Sequence, residues 1–219
     1  MPDSREGARL RLRSATPRLP GQEVTKQAVR ILEAAKIVFL RDGAKFSARG
    51  VAKQAEVGLS TVQHFFSTTD ELQLAMLEYV ERVYYQDVFR EMGAKLPFLG
   101  PARLRGMLDY MIDGLFRLET RSFYFGFWSL SSHNERVEKF LTESYSQYRD
   151  NLAILIGAAN PALSEERCHD LATHIAAMIE GLLIFIVPKG KRFANRKKVA
   201  QSIKQSIWTL IFAEPVKDR

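Results

Sequence analysis

The chain has 219 residues, 46% of them hydrophobic, which is enough to fill a core and too many for a disordered tract. Its formal net charge of +7 favours a polyanionic partner, and its single cysteine, Cys168, excludes an internal disulfide and a cysteine-built zinc site. No apolar signal core opens the chain, and the longest apolar run, residues 175–187, is broken by Glu180 and too short to span a bilayer, so the reading is a soluble, cytoplasmic protein with no membrane partner.

Residues 1–22 carry Arg5, Arg9, Arg11, Arg13 and Arg18 among prolines, glycines and serines. They read as a flexible basic arm, which either tracks a DNA groove and its phosphates or is a solvated tail. Thr25 is a plausible cap for a first helix, in which Ala28, Ile31, Leu32, Ala35, Val38 and Phe39 recur at helical spacing. Gly43 suits the left-handed position that ends it. Ser47 caps a second, short helix with Val51, Ala52 and Ala55 inward. A tight turn at Glu56-Val57-Gly58 leads to a third, with Val62, Phe65 and Phe66 inward. Two helices this short cannot hold each other alone, and the first helix supplies the missing wall. This is the layout of a helix-turn-helix reader of the DNA major groove.

The motif Thr68-Thr-Asp-Glu71 is a capping box that opens a long fourth helix reaching about Met92. Residues 93–101 form a break. A helix follows through Leu104, Leu108, Met111, Ile112 and Leu115, and then an aromatic cluster of Phe116, Phe123, Tyr124, Phe125, Phe127 and Trp128. Further helices are predicted over residues 134–157, from Ser164 to Val187 with Pro188 as the stop, and over residues 196–213. No strand pattern occurs. The fold class expected is all-α, about nine helices: a helix-turn-helix domain over residues 23–72 and a larger helical domain over residues 73–219, which the family resemblance given below makes the effector-binding and dimerisation domain.

The last two helices carry surplus apolar residues. Ile175, Met178, Leu182 and Ile186 on one, with Val199, Ile203, Ile207 and Leu210 on the other, predict either a two-fold homodimer interface or an internal core.

The segment from Thr25 to Glu78 resembles the DNA-binding domain of the TetR family of transcriptional regulators. The matching residues are Ile31-Leu-Glu-Ala-Ala35, Phe39, Gly43, Val51-Ala52, Ala55, Val57, Thr61-Val-Gln-His-Phe-Phe66 and Asp70-Glu-Leu72. Departures are Gly58 where a hydroxyl residue usually caps the recognition helix, Leu59 in place of a frequent lysine, Gln63 for a frequent tyrosine and Thr69 for a frequent lysine. The resemblance implies a ligand-responsive, sequence-specific regulator, a repressor released from its DNA by a small effector.

With Val62, Phe65 and Phe66 inward, the outward face of the recognition helix is Leu59, Ser60, Gln63 and His64, with Thr61 toward the backbone. Ser60 and Thr61 suit phosphates at a helix N-terminus. Gln63 suits adenine and Leu59 a thymine methyl. The resemblance gives His64 a phosphate contact. Arg49 on the preceding helix could reach a base or a phosphate, and Ser47, Thr68 and Thr69 complete the expected contact set on an inverted-repeat, double-stranded operator. The resemblance also implies an effector pocket among helices four to seven. Its candidates are Phe89, Met107, Tyr110, Met111, Phe123, Tyr124, Phe127, Trp128, Tyr145 and Glu180, rings and hydroxyls suited to a small lipophilic ligand or simply to a core. Glu180 reads as pocket edge or dimer interface.

No catalytic constellation, phosphate loop or dinucleotide fingerprint is present, and His169 and His174 fall on different sides of a helix. No catalytic residue, metal or cofactor is expected. The basic run Lys189, Lys191, Arg192, Arg196, Lys197 and Lys198 reads as a solvated loop. An all-α carrier or enzyme with an incidental basic face, and a regulator controlled by a protein partner without a ligand, remain alternatives.

Overall fold

The computed structural model describes residues 26–93, 100–185 and 196–213, with side chains for all of them except residues 84–93 and 196. These residues form α1 (Lys26–Asp42), α2 (Ala48–Ala55), α3 (Leu59–Phe65), α4 (Thr69–Gly93), α5 (Pro101–Gly114), α6 (Leu118–Ser131), α7 (Glu135–Ala159), α8 (Glu165–Phe185) and α9 (Arg196–Phe212), with a single 3-10 turn at Gly43–Lys45. The architecture is all-α, as the periodicity predicts. The basic arm, Thr25, Ile186, Lys189, Lys191 and Arg192 lie outside the described residues, while Arg196, Lys197 and Lys198, read as loop, open α9.

α1 buries Ala28, Ile31, Leu32, Ala34, Ala35, Val38 and Phe39, a stripe at three- and four-residue spacing that becomes the wall behind α2 and α3. Gly43, at φ +52°, ends it as expected. Ser47 then starts α2, its Oγ accepting the Gly50 N–H at 3.2 Å. The tight turn at Glu56-Val57-Gly58 joins α2 to α3, as the sequence reading has it. The residue in the left-handed region is Glu56, at φ 54°, while Gly58 has an ordinary extended backbone and begins α3 with no side-chain cap. Glycine thus stands two positions after the site that needs it. The capping box of α4 forms with a shift of register: Thr68 Oγ1 accepts the Glu71 N–H at 3.1 Å, and the Glu71 carboxylate reaches back to the Ser67 N–H at 2.9 Å.

The aromatic cluster becomes α6, which lies between the N-terminal three helices and the rest. Phe123 and Phe127 of α6 and Val137 of α7 belong to the same buried core as Ile31, Phe39, Val51 and Val62. The joint is a close approach. A Cβ added at Gly126 would stand 2.7 Å from Cζ of Phe39, so the bare face of α6 at this position is what admits the ring of α1. Phe46 and Phe123 flank that ring edge-on, at centroid distances of 6.3 and 6.0 Å.

A second core joins α5, α7, α8 and α9 through Leu104, Ile112, Leu152, Ile156, Leu171, Ile175, Ile179 and Ile207, all fully buried. Asn134 caps α7 by accepting the N–H groups of Arg136 and Val137. Asn160 at the other end donates to the Ile211 carbonyl at 2.8 Å and pins α9. Lys204 of α9 sits between Asp109 and Asp113 of α5, at 2.9 and 3.0 Å. By length and a mean hydropathy of 1.3, α8 could cross a bilayer. It opens with Glu165, Glu166 and Arg167, and its inward stripe from Cys168 to Leu183 is core of the helical bundle.

Two outcomes test these packing arguments. Glu56→Gly should raise the unfolding free energy by about 0.5–1 kcal/mol, because the exposed left-handed glutamate loses only a surface pair with Arg30. Gly126→Ala should lower it by about 1–3 kcal/mol through overpacking against Phe39, and Phe39→Leu in the same chain should recover part of the loss. Urea denaturation measures both, and a neutral Gly126→Ala would contradict the joint.

Candidate nucleic-acid interface and ligand cavity

The orientation of α3 follows from what it buries. Val62 and Phe66 are fully inside, and Phe65 leans on the same core. Ser60, Gln63 and His64 are consequently exposed. The outward position expected of Leu59 is only partly kept. Leu59 and Thr61 are both half-buried, and Leu59 packs against the N-terminal core beside Val57, so its methyl groups are only partly available. The His64 ring meets Phe65 edge-on at 5.4 Å, which steadies its direction. On α2, Arg49 and Lys53 are exposed. The hydroxyls of Ser47 and Thr68 are already engaged as helix caps, while Thr69 is half-buried at the start of α4. The structure therefore brings Arg49, Ser60, Gln63 and His64 onto exposed surface of two adjoining helices, next to the uncapped, electropositive start of α3.

A cavity of about 240 Å³ opens where α1, α4, α5 and α6 meet. Of the ligand-contact candidates, Tyr110, Phe123, Tyr124 and Phe127 line it. The others do not. Met107 is buried in a small cluster with Tyr110, Met111 and Leu155, and Met111 packs on the C-terminal core. Trp128, Tyr145 and Glu180 are joined instead in a hydrogen-bonded chain: the Trp128 indole N–H donates to the Tyr145 hydroxyl at 2.9 Å, and that hydroxyl donates to Glu180 Oε2 at 3.3 Å. The Phe89 side chain lies outside the described residues. The remaining lining comes from residues the sequence reading passed over. These are Glu33, Lys36 and Leu40 of α1, Tyr79, Val80, Glu81 and Val83 of α4, and Gly114, Arg117, Glu119 and Thr120 around the start of α6. Charged residues on α1 and α4 read as solvated helix faces, and nothing in linear order signals that these faces meet.

The electrostatics of this region are unusual. Burial pushes the Glu81 carboxyl up to about 7 despite a 2.8 Å hydrogen bond from Ser144, and Glu78 adds like-charge repulsion. Burial likewise raises Glu180 to about 7, against the hydrogen bond from Tyr145. Tyr145, caught between them, is raised by burial first and then by the charge of Glu180. Tyr79 donates to Glu33 and is pushed up to about 12, again chiefly by burial. Among the described residues no group of three or more His, Cys, Asp or Glu gathers in metal-binding fashion.

The surface of α8 and α9 corrects part of the expected interface. Ile175, Leu182 and Ile207 are fully buried inside the chain's own core, so they cannot form the face toward a second copy. Val199 and Ile203 are half-buried and lean on that core, as does Met178. The apolar residues left outward are Ile184, Phe185, Leu210 and Phe212. A shallow depression lined by Arg167, Leu171, His174, Ala177, Met178 and Leu210 runs beside them. The inward stripe took the strongest hydrophobes because a helix on a large bundle packs that side first; sequence alone could not tell the two stripes apart.

The C-terminal domain of the BetI-type transcriptional repressors matches residues 101–204. An HTH-type transcriptional regulator from the dhlA 5′ region of Xanthobacter autotrophicus is 27% identical over 161 residues, 71% of this chain and 76% of that protein. A TetR-family regulator from Streptomyces coelicolor shares the fold with a TM-score of 0.68 at 15% identity, over 86% of this chain and 90% of the other. So does a transcriptional regulator from Saccharomonospora viridis in complex with choline, with a TM-score of 0.67 at 19% identity, over 82% and 94% of the two chains. A helix-turn-helix with an exposed reading helix, followed by a C-terminal domain that matches the BetI type, supports a transcriptional regulator of the TetR family.

Proposed function

We propose that the protein works as a homodimeric repressor in the cytoplasm, holding an inverted-repeat operator through α3 and leaving it when a small lipophilic effector fills the cavity between α1, α4, α5 and α6. The observation that carries the DNA side is the face of α3, where Ser60, Gln63 and His64 stand outward because Val62 and Phe66 are buried. In this reading Gln63 pairs with a base edge, while Ser60, His64 and Arg49 hold phosphates. Dimerisation uses the outward apolar surface of α8 and α9 around Leu210, with the depression beside it that Ala177 and Met178 help to line. It sets the two reading helices one helical turn of DNA apart, ~34–36 Å, or a small multiple of it.

The effector side rests on placement. α1 and α4 both belong to the N-terminal core, and both line the cavity. A ligand that spreads them from α6 changes the angle of the reading helix, and a coupling of about 1–3 kcal/mol weakens operator binding 5–150-fold. The choline bound to the Saccharomonospora viridis protein supports a small organic occupant for this fold.

Selection of bound sequences from a random DNA pool gives the operator and tests the whole reading. On that operator, Gln63→Ala should lose about 1–3 kcal/mol and relax preference at one base position. His64→Ala should weaken all sequences alike and reduce the salt dependence. An unchanged base preference in Gln63→Ala removes that contact.

The dimer is tested by contrasting two positions. Leu210→Asp should sediment as a folded, fully helical monomer with no operator binding. Ile207→Asp should instead lose about 3–5 kcal/mol of subunit stability, because it places an unpaired charge in the core. A Leu210→Asp protein that remains dimeric refutes the proposed face.

A further inference from the structure

α4 passes from the reading end of the molecule into its body within about one turn. Its buried side chains, Leu72, Ala75, Met76 and Leu77, belong to the N-terminal core together with Ile31, Leu32 and Ala35 of α1. From Glu78 to Val83 every side chain is only half-buried. Tyr79 and Val80 still lean on that core, but the apolar packing thins. Directional bonds take over at this point. Tyr79 turns to α1, and its hydroxyl donates to Glu33. Two residues later Glu81 turns to α7 and accepts from the Ser144 hydroxyl at 2.8 Å. One bond ties the helix to the reading end, and the next ties it to the body.

The first of these bonds is well supported. Burial first, and then the bond to Glu33, push the Tyr79 hydroxyl up to about 12, so it remains a donor throughout the neutral range. The Arg82 guanidinium, one turn along the same helix, stands 5.7 Å from the ring centroid and steadies the ring. Glu33 stands between Leu32 and Ala34, both buried, on the helix that backs α2 and α3. The acceptor is therefore fixed to the wall on which the reading helix rests. Apolar contacts tolerate sliding of one helix over another, whereas a hydrogen bond weakens steeply when its donor leaves the line of the acceptor.

Resting on the two-fold, inverted-repeat reading of the operator, we infer that Tyr79 is a positioning residue for DNA recognition: through Glu33 it fixes the angle at which α4 carries the reading helix, and so the half-site spacing that the dimer accepts. Its influence on DNA passes through α1, not through any base. One base pair inserted between half-sites moves the second by about 3.4 Å and turns it by about 35°. Reading helices held at a fixed angle reject that displacement, and loosened ones follow it. The preference for bases inside each half-site depends on the outward residues of α3 and is untouched.

The test measures binding of the full-length protein, by fluorescence anisotropy at one salt concentration, to three duplexes. They carry the selected inverted repeat with its selected spacer, with one base pair added between the half-sites, and with one removed. No effector is needed, so the outcome is independent of the cavity. The wild-type protein should bind the selected spacer well ahead of the other two. Tyr79→Phe, which removes only the hydroxyl, should narrow that gap by about threefold or more and keep the same base preference. Glu33→Ala should narrow it equally, and the double variant no further than either alone. Glu33→Gln, whose amide oxygen accepts the same bond, should restore the wild-type gap. Loss of affinity by one common factor on all three duplexes, with the gap unchanged, overturns the inference and leaves Tyr79 a purely structural residue. A wild-type gap in Glu33→Ala overturns it as well. In both of those cases the spacing preference of the wild-type protein leaves the two-fold reading standing. A wild-type protein indifferent to spacing overturns both.

Discussion

The ring of Phe39 pressed against the bare backbone of Gly126 fixes how the two ends of this molecule relate. α1 carries the reading helices on one side and this ring on the other. With any side chain at Gly126 the Phe39 ring or the two helices would have to shift, because the Cβ would fall well inside contact distance of the ring. Phe46, Phe123 and Phe127 continue the packing on either side, so the N-terminal core runs without a break into α6 and α7. A rigid, aromatic joint of this kind transmits displacement instead of absorbing it. The cavity next to it is lined by Leu40 from α1 and by Phe123 and Phe127 from α6, so the two helices that the joint clamps together are also walls of the cavity.

Deeper in the body, polarity runs against the hydrophobic rule. Ser144 and Tyr145, neighbours on α7, hold carboxylates from two different helices, Glu81 on α4 and Glu180 on α8. Trp128 on α6 closes the far end of the chain. Four helices are thereby registered to one another by directional bonds, which specify position more sharply than apolar contact does. Hydrophobic substitutes of similar volume would serve stability at least as well. The retained carboxyls therefore contribute the geometry they enforce.

The reading end is held more lightly. α2 and α3 have eight and seven residues, and the turn between them keeps glutamate in the left-handed region and glycine at an uncapped helix start. Each departure gives up a fraction of the stability that a better-placed residue would supply. The fixed points are Val51, Ala52, Ala55 and Val62 inside, so the outer face of α3 owes its direction almost wholly to packing against α1. That face is carried by α1, which the joint clamps to α6.

The sequence by itself determined the all-α class, the helix order, the helix-turn-helix and the outward direction of Ser60, Gln63 and His64. These depend on local spacing: a 3.6-residue period, caps at Ser47 and Thr68, and a left-handed glycine at Gly43 are legible without knowing what packs on what. It also supplied the rings Tyr110, Phe123, Tyr124 and Phe127. Only the tertiary structure decided that these rings meet Glu33, Tyr79 and Glu81 across four helices, while Trp128, Tyr145 and Glu180 turn to a separate network. It alone decided that Ile175, Leu182 and Ile207 serve the subunit's own core and leave Leu210 outside. It also put the left-handed residue of the α2–α3 turn at Glu56. The physical reason is common to all of these. Amphipathic helices announce that they have an apolar face, but where two stripes or two charged faces are available, which one packs inward is set by neighbours far away in the chain.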